Sequence, residues 1–187
     1  MYWWIKKNIQ HRSIAAGMIL SAVSFLACST DTNQVAQKQE KQFDIPAFFQ
    51  QETQRLGQQN REITKTVSKE TASETKKISI KDWEKELSAF SSVDLNKAAY
   101  SGQIHKDSAD RLVKLSLSDP HADISSVQIQ YADDNTPDEI HIIKNIDNLL
   151  YQTTEKLSYR KNKGYKIEKQ QHVWLLGSNS YTIEGTF

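Results

Sequence analysis

The sequence predicts an α+β domain in which two amphipathic helices pack on a curved antiparallel β-sheet, in the order α–ββ–α–β-meander. Two segments in the first half carry apolar side chains at helical spacing, whereas apolar and polar residues alternate from Arg111 onward. Short runs of turn residues separate the alternating segments, which favours antiparallel pairing of successive strands. A half-barrel with the helices on its concave side and a flat sheet with the helices on one face both fit this order.

The first helix is predicted over residues 45–56. Asp44 can cap its start, Pro46 lies in the first turn where a missing N–H costs nothing, and Gly57 follows the end. The stripe that faces one side of this helix is apolar except at Glu52. Such a stripe is typical of a helix that packs on a core.

A hairpin over residues 62–80 and a second amphipathic helix over residues 81–91 follow. The hairpin turns near Thr71, and the helix places Trp83, Leu87 and Phe90 on one face. Residues 94–110 are polar and are predicted to be irregular.

The second half of the chain reads as a run of strands. The first three alternating segments carry their apolar side chains at Val113, Leu115 and Leu117, at Val127, Ile129 and Tyr131, and at Ile140 and Ile142. Longer strands are predicted over 149–160 and 165–176, and a turn at 177–179 leads to a last strand over 181–187. Residues 43–187 therefore form a single predicted domain.

The start of the chain has the pattern of a secretory leader. Residues 1–12 carry Lys6, Lys7 and Arg12 and no acid, and residues 14–27 are apolar but too few to span a bilayer as a helix. The run Phe25-Leu26-Ala27-Cys28 resembles the lipobox of bacterial lipoproteins, with Phe25 where Leu is usual. An ordinary signal peptide or a short anchor is the alternative.

The resemblance to a lipobox implies cleavage after residue 27 and lipidation of Cys28 with acyl chains such as palmitate. Two or more chains anchor a protein stably in a membrane. The polar segment that completes residues 28–42 is predicted to be a disordered tether. We therefore expect an extracytoplasmic, membrane-anchored lipoprotein, and Ser29 after the cysteine favours the outer membrane of a Gram-negative bacterium.

Composition argues against several classes of function. Residues 28–187 have a formal charge of −2, because the leader holds three basic side chains and no acid. A near-neutral domain lacks the basic face that nucleic-acid binding requires. Cys28 is the one cysteine, so its lipidation leaves no thiol for a disulfide or a zinc site.

The candidate ligand-binding residues are aromatic side chains on the predicted strands, which can bury apolar area and keep a polar edge in water. They are Tyr131, Tyr151, Tyr159, Trp174 and Tyr181. A packed core is the competing interpretation for these residues. No catalytic residue is predicted, because the chain has no nucleophile elbow and no glycine-rich phosphate loop.

A weaker candidate is a metal site built from carboxylates and imidazoles of two polar segments. His105 and Asp107 lie in one segment, and His121 and Asp123 lie in the other. Their spacing matches no known metal-binding signature, so we expect solvated loop residues, no metal and no cofactor.

Three stretches of the domain carry a resemblance to a family of uncharacterised bacterial lipoproteins: residues 43–49 (FDIPAFF), 81–87 (KDWEKEL) and 148–151 (NLLY). The family implies no established activity. In architecture alone, a lipidated domain with a curved sheet and internal helices is similar to the outer-membrane lipoprotein receptor of the lipoprotein-sorting pathway. No functional residue is carried over from that similarity.

We therefore expect a non-enzymatic binding protein of the cell envelope, with a lipid or an acylated ligand in an apolar groove. The alternative is a protein-interaction module of an envelope complex. A metal-dependent hydrolase is a third hypothesis, and it rests on the segments that contain His105 and His121.

Overall fold

Nine antiparallel strands form one open sheet in the computed structural model, which describes residues 40–187. The strands are β1 (Glu62–Lys69), β2 (Ala72–Ser79), β3 (Ile104–Ala109), β4 (Leu112–Leu117), β5 (Ile124–Tyr131), β6 (Pro137–Asp147), β7 (Tyr151–Arg160), β8 (Gly164–Val173) and β9 (Gly177–Thr186). Their order in the sheet is β2-β1-β9-β8-β7-β6-β5-β4-β3. The predicted antiparallel meander is confirmed from β3 to β9.

The predicted hairpin is also confirmed, and in the sheet it lies beside the last strand of the chain. β1 pairs with β2 on one side and with β9, the last strand, on the other. β2 and β3 are consequently the two edges of the sheet.

The helical segments are more numerous than the sequence predicts, and all but the first are short. They are α1 (Ile45–Gln59), α2 (Trp83–Glu86), α3 (Ser88–Ser91) and a 3₁₀ turn (Ala98–Tyr100). The predicted second helix over 81–91 is broken at Leu87, whose backbone (φ −99°, ψ 13°) ends α2 and begins α3. Trp83, Leu87 and Phe90 are nonetheless all buried, so packing does not require a continuous helix here.

Helix α1 begins where the sequence predicts and ends later. The carboxylate of Asp44 accepts a hydrogen bond from the Ala47 N–H at 3.0 Å, as an N-cap residue does. The helix then continues through Gly57 to Gln59, and Asn60 adopts the left-handed conformation that ends it (φ 41°). The prediction that Gly57 lies beyond the helix is therefore wrong.

Two further predictions differ from the structure. Strand β3 lies within the segment predicted to be irregular. The sequence does not predict it because this edge strand is almost entirely exposed and its residues do not alternate between apolar and polar. Strand β8 ends at Val173, residues 174–176 form the turn, and β9 begins at Gly177 with a left-handed φ of 83°. The predicted turn over 177–179 is thus part of a strand.

The core contains apolar residues of the helical segments and of the sheet. Tyr159 of β7 has its ring centroid 5.1 Å from that of Phe49 in α1 and 6.2 Å from that of Phe90 in α3. The buried sheet residues in the same cluster include Leu115, Val127, Ile129, Ile140, Ile142, Leu157 and Ile167. None of the helices in residues 40–187 has the length and hydropathy needed to cross a bilayer.

Candidate functional site

The five predicted aromatic ligand residues occupy different environments. Tyr159 is buried in the core, and Trp174 is 80% exposed in the turn between β8 and β9. Tyr151 and Tyr181 are half-buried. Tyr131 lines a cavity of about 310 Å³ beside the N-terminal end of α1, at the opposite end of the strands from Trp174.

Tyr159 is held by a buried carboxylate of helix α1. Its hydroxyl donates to Glu52, and the Arg55 guanidinium donates to the same carboxylate, with an Nη2–Oε2 distance of 2.6 Å. Burial alone would raise the pKa of Glu52, but the hydrogen bonds from Arg55 and Tyr159 outweigh it and hold that pKa below its usual range. Glu52, the polar residue in the apolar stripe of α1, therefore links the helix to the sheet. We call such a group, a carboxylate bound by a tyrosine hydroxyl and a basic side chain, a tie.

A second tie joins α2 to the sheet. Tyr165 of β8 donates to Glu86, and the Lys65 ammonium of β1 lies 2.6 Å from the same carboxylate. Burial and the Glu86 carboxylate raise the pKa of Tyr165 above its ordinary value. Since Tyr159 and Tyr165 are cross-strand partners, the two ties sit side by side on β7 and β8.

An open groove of about 510 Å³ lies next to the second tie, between the β1–β2 hairpin and the helices α2 and α3. Its apolar side chains are Ile78, Ile80, Ala89, Ile167 and Ile183. Lys65, Lys81 and Lys85 are the basic residues at this groove, accompanied by Asp82 and Glu86. The groove therefore combines an apolar surface with charged side chains, as ligand-binding sites commonly do.

The four metal candidates lie on two elements, strand β3 and the loop between β4 and β5. His105 and Asp107 lie on the exposed edge strand β3, and His121 lies in the β4–β5 loop, where its N–H donates to Asp119 at 2.8 Å. Asp123 accepts a hydrogen bond from the Tyr100 hydroxyl. Within residues 40–187 no group of three or more His, Cys, Asp or Glu is placed to hold a metal ion.

Sequence reasoning selected Trp174 as a candidate but missed the four exposed leucines that accompany it. Leu149, Leu150, Trp174, Leu175 and Leu176 lie in two turns and are 72–98% exposed. The predicted strands over 149–160 and 165–176 include all five at their ends, where alternation would bury some of them. The signal that could have identified them is the apolar doublet and triplet, which break the period of two directly beside Asn148 and Gly177.

The predicted lipidation site, Cys28, lies outside the described residues, as do the leader and most of the tether. No protein-family model, curated protein or solved structure matches this chain.

Proposed function

We propose that this chain is a non-enzymatic, membrane-tethered protein of the bacterial envelope that binds a lipid or an acylated ligand in an apolar groove. The single observation that carries the proposal is the open groove between the β1–β2 hairpin and α2–α3. In this proposal the sheet is a half-barrel, and the helical segments fill part of its concave side. The lipid anchor at Cys28 holds the domain at the membrane from which the ligand comes.

The chemistry of the groove supports an amphiphilic ligand. Its volume of about 510 Å³ lies within the range of small-molecule sites, and isoleucine and alanine side chains supply an apolar surface. Lys81 and Lys85 are exposed where the groove opens to solvent. An acyl chain on the isoleucines with an anionic head group near these amines would match both features.

The test is binding of a fluorescent long-chain fatty acid to the full chain and to an Ala89→Phe variant. Ala89 is half-buried on α3 and lines the groove, so the larger ring fills space that the ligand needs. We expect affinity to fall about tenfold or more, which corresponds to the loss of one well-buried apolar contact.

The matched control is Ala72→Phe, at the exposed start of β2 and outside the groove. It adds the same ring without filling the groove, so its affinity should equal that of the unaltered chain. Equal affinity of all three proteins, or no binding by the unaltered chain, would contradict the proposal.

A second candidate is the protein-interaction module, and the exposed edge strand β2 is the observation that favours it. Seven of its eight residues are exposed, and its outer edge has no neighbouring strand in the described sheet. A partner strand could add there, although Lys76 and Lys77 are the kind of residue that blunts such edges. Cross-linking from Thr75 to one defined envelope protein in cells would support this candidate.

A further inference from the structure

Two neighbouring turns place five large apolar side chains in solvent at one end of the sheet. We call this group, formed by Leu149, Leu150, Trp174, Leu175 and Leu176, the apolar tip. Strands β7 and β8 pair up to Tyr151 and Val173, and the Trp174 N–H donates to the Leu150 carbonyl at 3.3 Å. The β6–β7 and β8–β9 turns therefore project as one unit.

The residues next to the apolar tip in the sequence are mostly polar, and none of them carries a formal charge. Residues 148–152 and 173–179 contain no Asp, Glu, Lys or Arg. Tyr151 is half-buried at the base, and the Asn148 carboxamide accepts hydrogen bonds from the N–H groups of Leu150 and Tyr151 at 2.9 and 3.1 Å, which organises the turn. Exposed leucines and a tryptophan next to Tyr and amide side chains match the composition of segments that bind at a bilayer surface.

The size of the apolar tip fits a lipid surface better than a protein partner. A stable protein interface uses about 20–30 residues on each side, whereas the tip offers five apolar side chains on two narrow turns. Insertion into lipid needs no complementary surface, and its strength grows with the apolar area that leaves water.

The predicted anchor can reach the same bilayer as the apolar tip. Glu40 pairs with Lys106, which lies four strands away from Leu157 in the same ladder. Leu157 is seven residues from Leu150, so the tip lies about 30 Å from Lys106 at ordinary strand spacings. The eleven residues between Cys28 and Glu40 allow a separation of at most about 40 Å between these two positions.

We propose that the apolar tip inserts into the interface of a phospholipid bilayer and directs this end of the β-sheet toward the membrane. The inference goes beyond ligand binding, because no residue of the apolar tip lines the groove. It also assigns the β7–β8 turn, at the opposite end of the same two strands, to the side that faces away from the lipid.

The experiment uses the chain with Cys28 lipidated, so that the anchor is kept and an introduced cysteine is the sole free thiol. Leu175→Cys carries a nitrobenzoxadiazole label, and the protein is reconstituted into phosphatidylcholine vesicles with or without bromine atoms on the acyl chains. The matched control is Lys163→Cys, an exposed residue of the β7–β8 turn. We expect brominated lipid to quench the label at residue 175 and to leave the label at residue 163 unchanged.

Two leucines of the apolar tip provide the second arm. Leu149→Ser with Leu176→Ser should shift the equilibrium between inserted and free tip about tenfold or more per leucine, and quenching at residue 175 should fall accordingly. Equal quenching at residues 175 and 163 would overturn the proposal. So would disulfide linkage of unlabelled Leu175→Cys to a second copy of the chain, together with no quenching of the labelled protein, since that result assigns the tip to self-association. Neither result would affect fatty-acid binding in the groove, so the two proposals fail separately.

Discussion

At the scale of single residues, tyrosine hydroxyls that donate to carboxylates connect distant parts of the chain. Tyr159 donates to Glu52 across 107 positions, and Tyr165 donates to Glu86 across 79. Each carboxylate also faces a basic side chain, so the buried negative charge is compensated. These ties set where α1 and α2 lie along β7 and β8.

Removal of the Tyr159 hydroxyl should destabilise the domain. Tyr159→Phe keeps the ring in the core and deletes a hydrogen bond to a charged group, so we expect the free energy of unfolding to fall by about 1.5–3 kcal/mol. Urea unfolding followed by circular dichroism measures the change. Tyr151→Phe, a half-buried tyrosine on the same strand, is the control and should change stability by less than about 0.5 kcal/mol. Equal effects of the two changes would contradict the tie.

The depressed pKa of Glu52 predicts an acid-dependent loss of stability. Because the folded-state pKa lies below the unfolded value of about 4.3, the carboxylate stabilises the fold above that pH, and the gain is lost as pH falls through the folded-state pKa. Glu52→Gln should therefore be less stable than the unaltered chain at pH 7.

As the pH falls through the folded-state pKa of Glu52, the two proteins should converge in stability. Urea unfolding between pH 7 and pH 2 measures the difference, with the exposed Glu74→Gln as the control. A difference between Glu52→Gln and the unaltered chain that stays constant with pH would show that protonation of Glu52 is not linked to folding.

At the scale of elements, glycines have opposite roles in a helix and in a strand. Gly57 lies inside α1, and a Cβ there would meet its nearest neighbour, Trp83 Cδ1, at an ordinary 3.9 Å. Gly185 on β9 faces Tyr165 on β8, and a Cβ there would overlap the tyrosine ring. Gly57 therefore lowers the stability of α1 relative to alanine, whereas Gly185 leaves space for the ring of Tyr165.

Gly57→Ala should stabilise the domain, since alanine loses less backbone entropy than glycine in a helix and has the space it needs. We expect the free energy of unfolding to rise by about 0.5–1 kcal/mol. Gly185→Ala, the contrasting variant, should lower it by about 1–3 kcal/mol through overpacking against Tyr165. Thermal and urea unfolding of both variants test the pair, and a stability gain at residue 185 would contradict the packing described.

At the scale of the whole molecule, charge and apolar surface are separated. Residues 28–187 carry a formal charge of −2, and the apolar tip lies in a stretch without charged side chains. Contact with a membrane through the tip therefore depends on apolar area rather than on attraction to anionic lipid. The sheet is open, and its two edge strands carry lysines that discourage further strand pairing.

Because no charged residue lies in the segments that form the apolar tip, we expect its contact with lipid to be insensitive to salt and to lipid charge. Quenching of the label at residue 175 should agree within about twofold between 0.05 and 0.5 M salt, because screening weakens only charge interactions. It should also be the same in phosphatidylcholine vesicles with and without phosphatidylglycerol. A steep decline with salt would indicate an electrostatic contact made by another surface.

Local patterns in the sequence were sufficient to determine the start of α1, the first hairpin and the antiparallel meander, because helical spacing, alternation and turn residues are properties of neighbouring positions. The tertiary structure alone decided that β1 lies beside β9, that the predicted second helix breaks at Leu87 and that Glu52 binds Tyr159. Each of these outcomes depends on residues that meet only in the folded chain. The exposure of the apolar tip also depends on the folded chain. The sequence predicts Leu149 and Leu175 to lie in strands, whereas the pairing of β7 with β8 ends at Tyr151 and Val173 and leaves both leucines in turns.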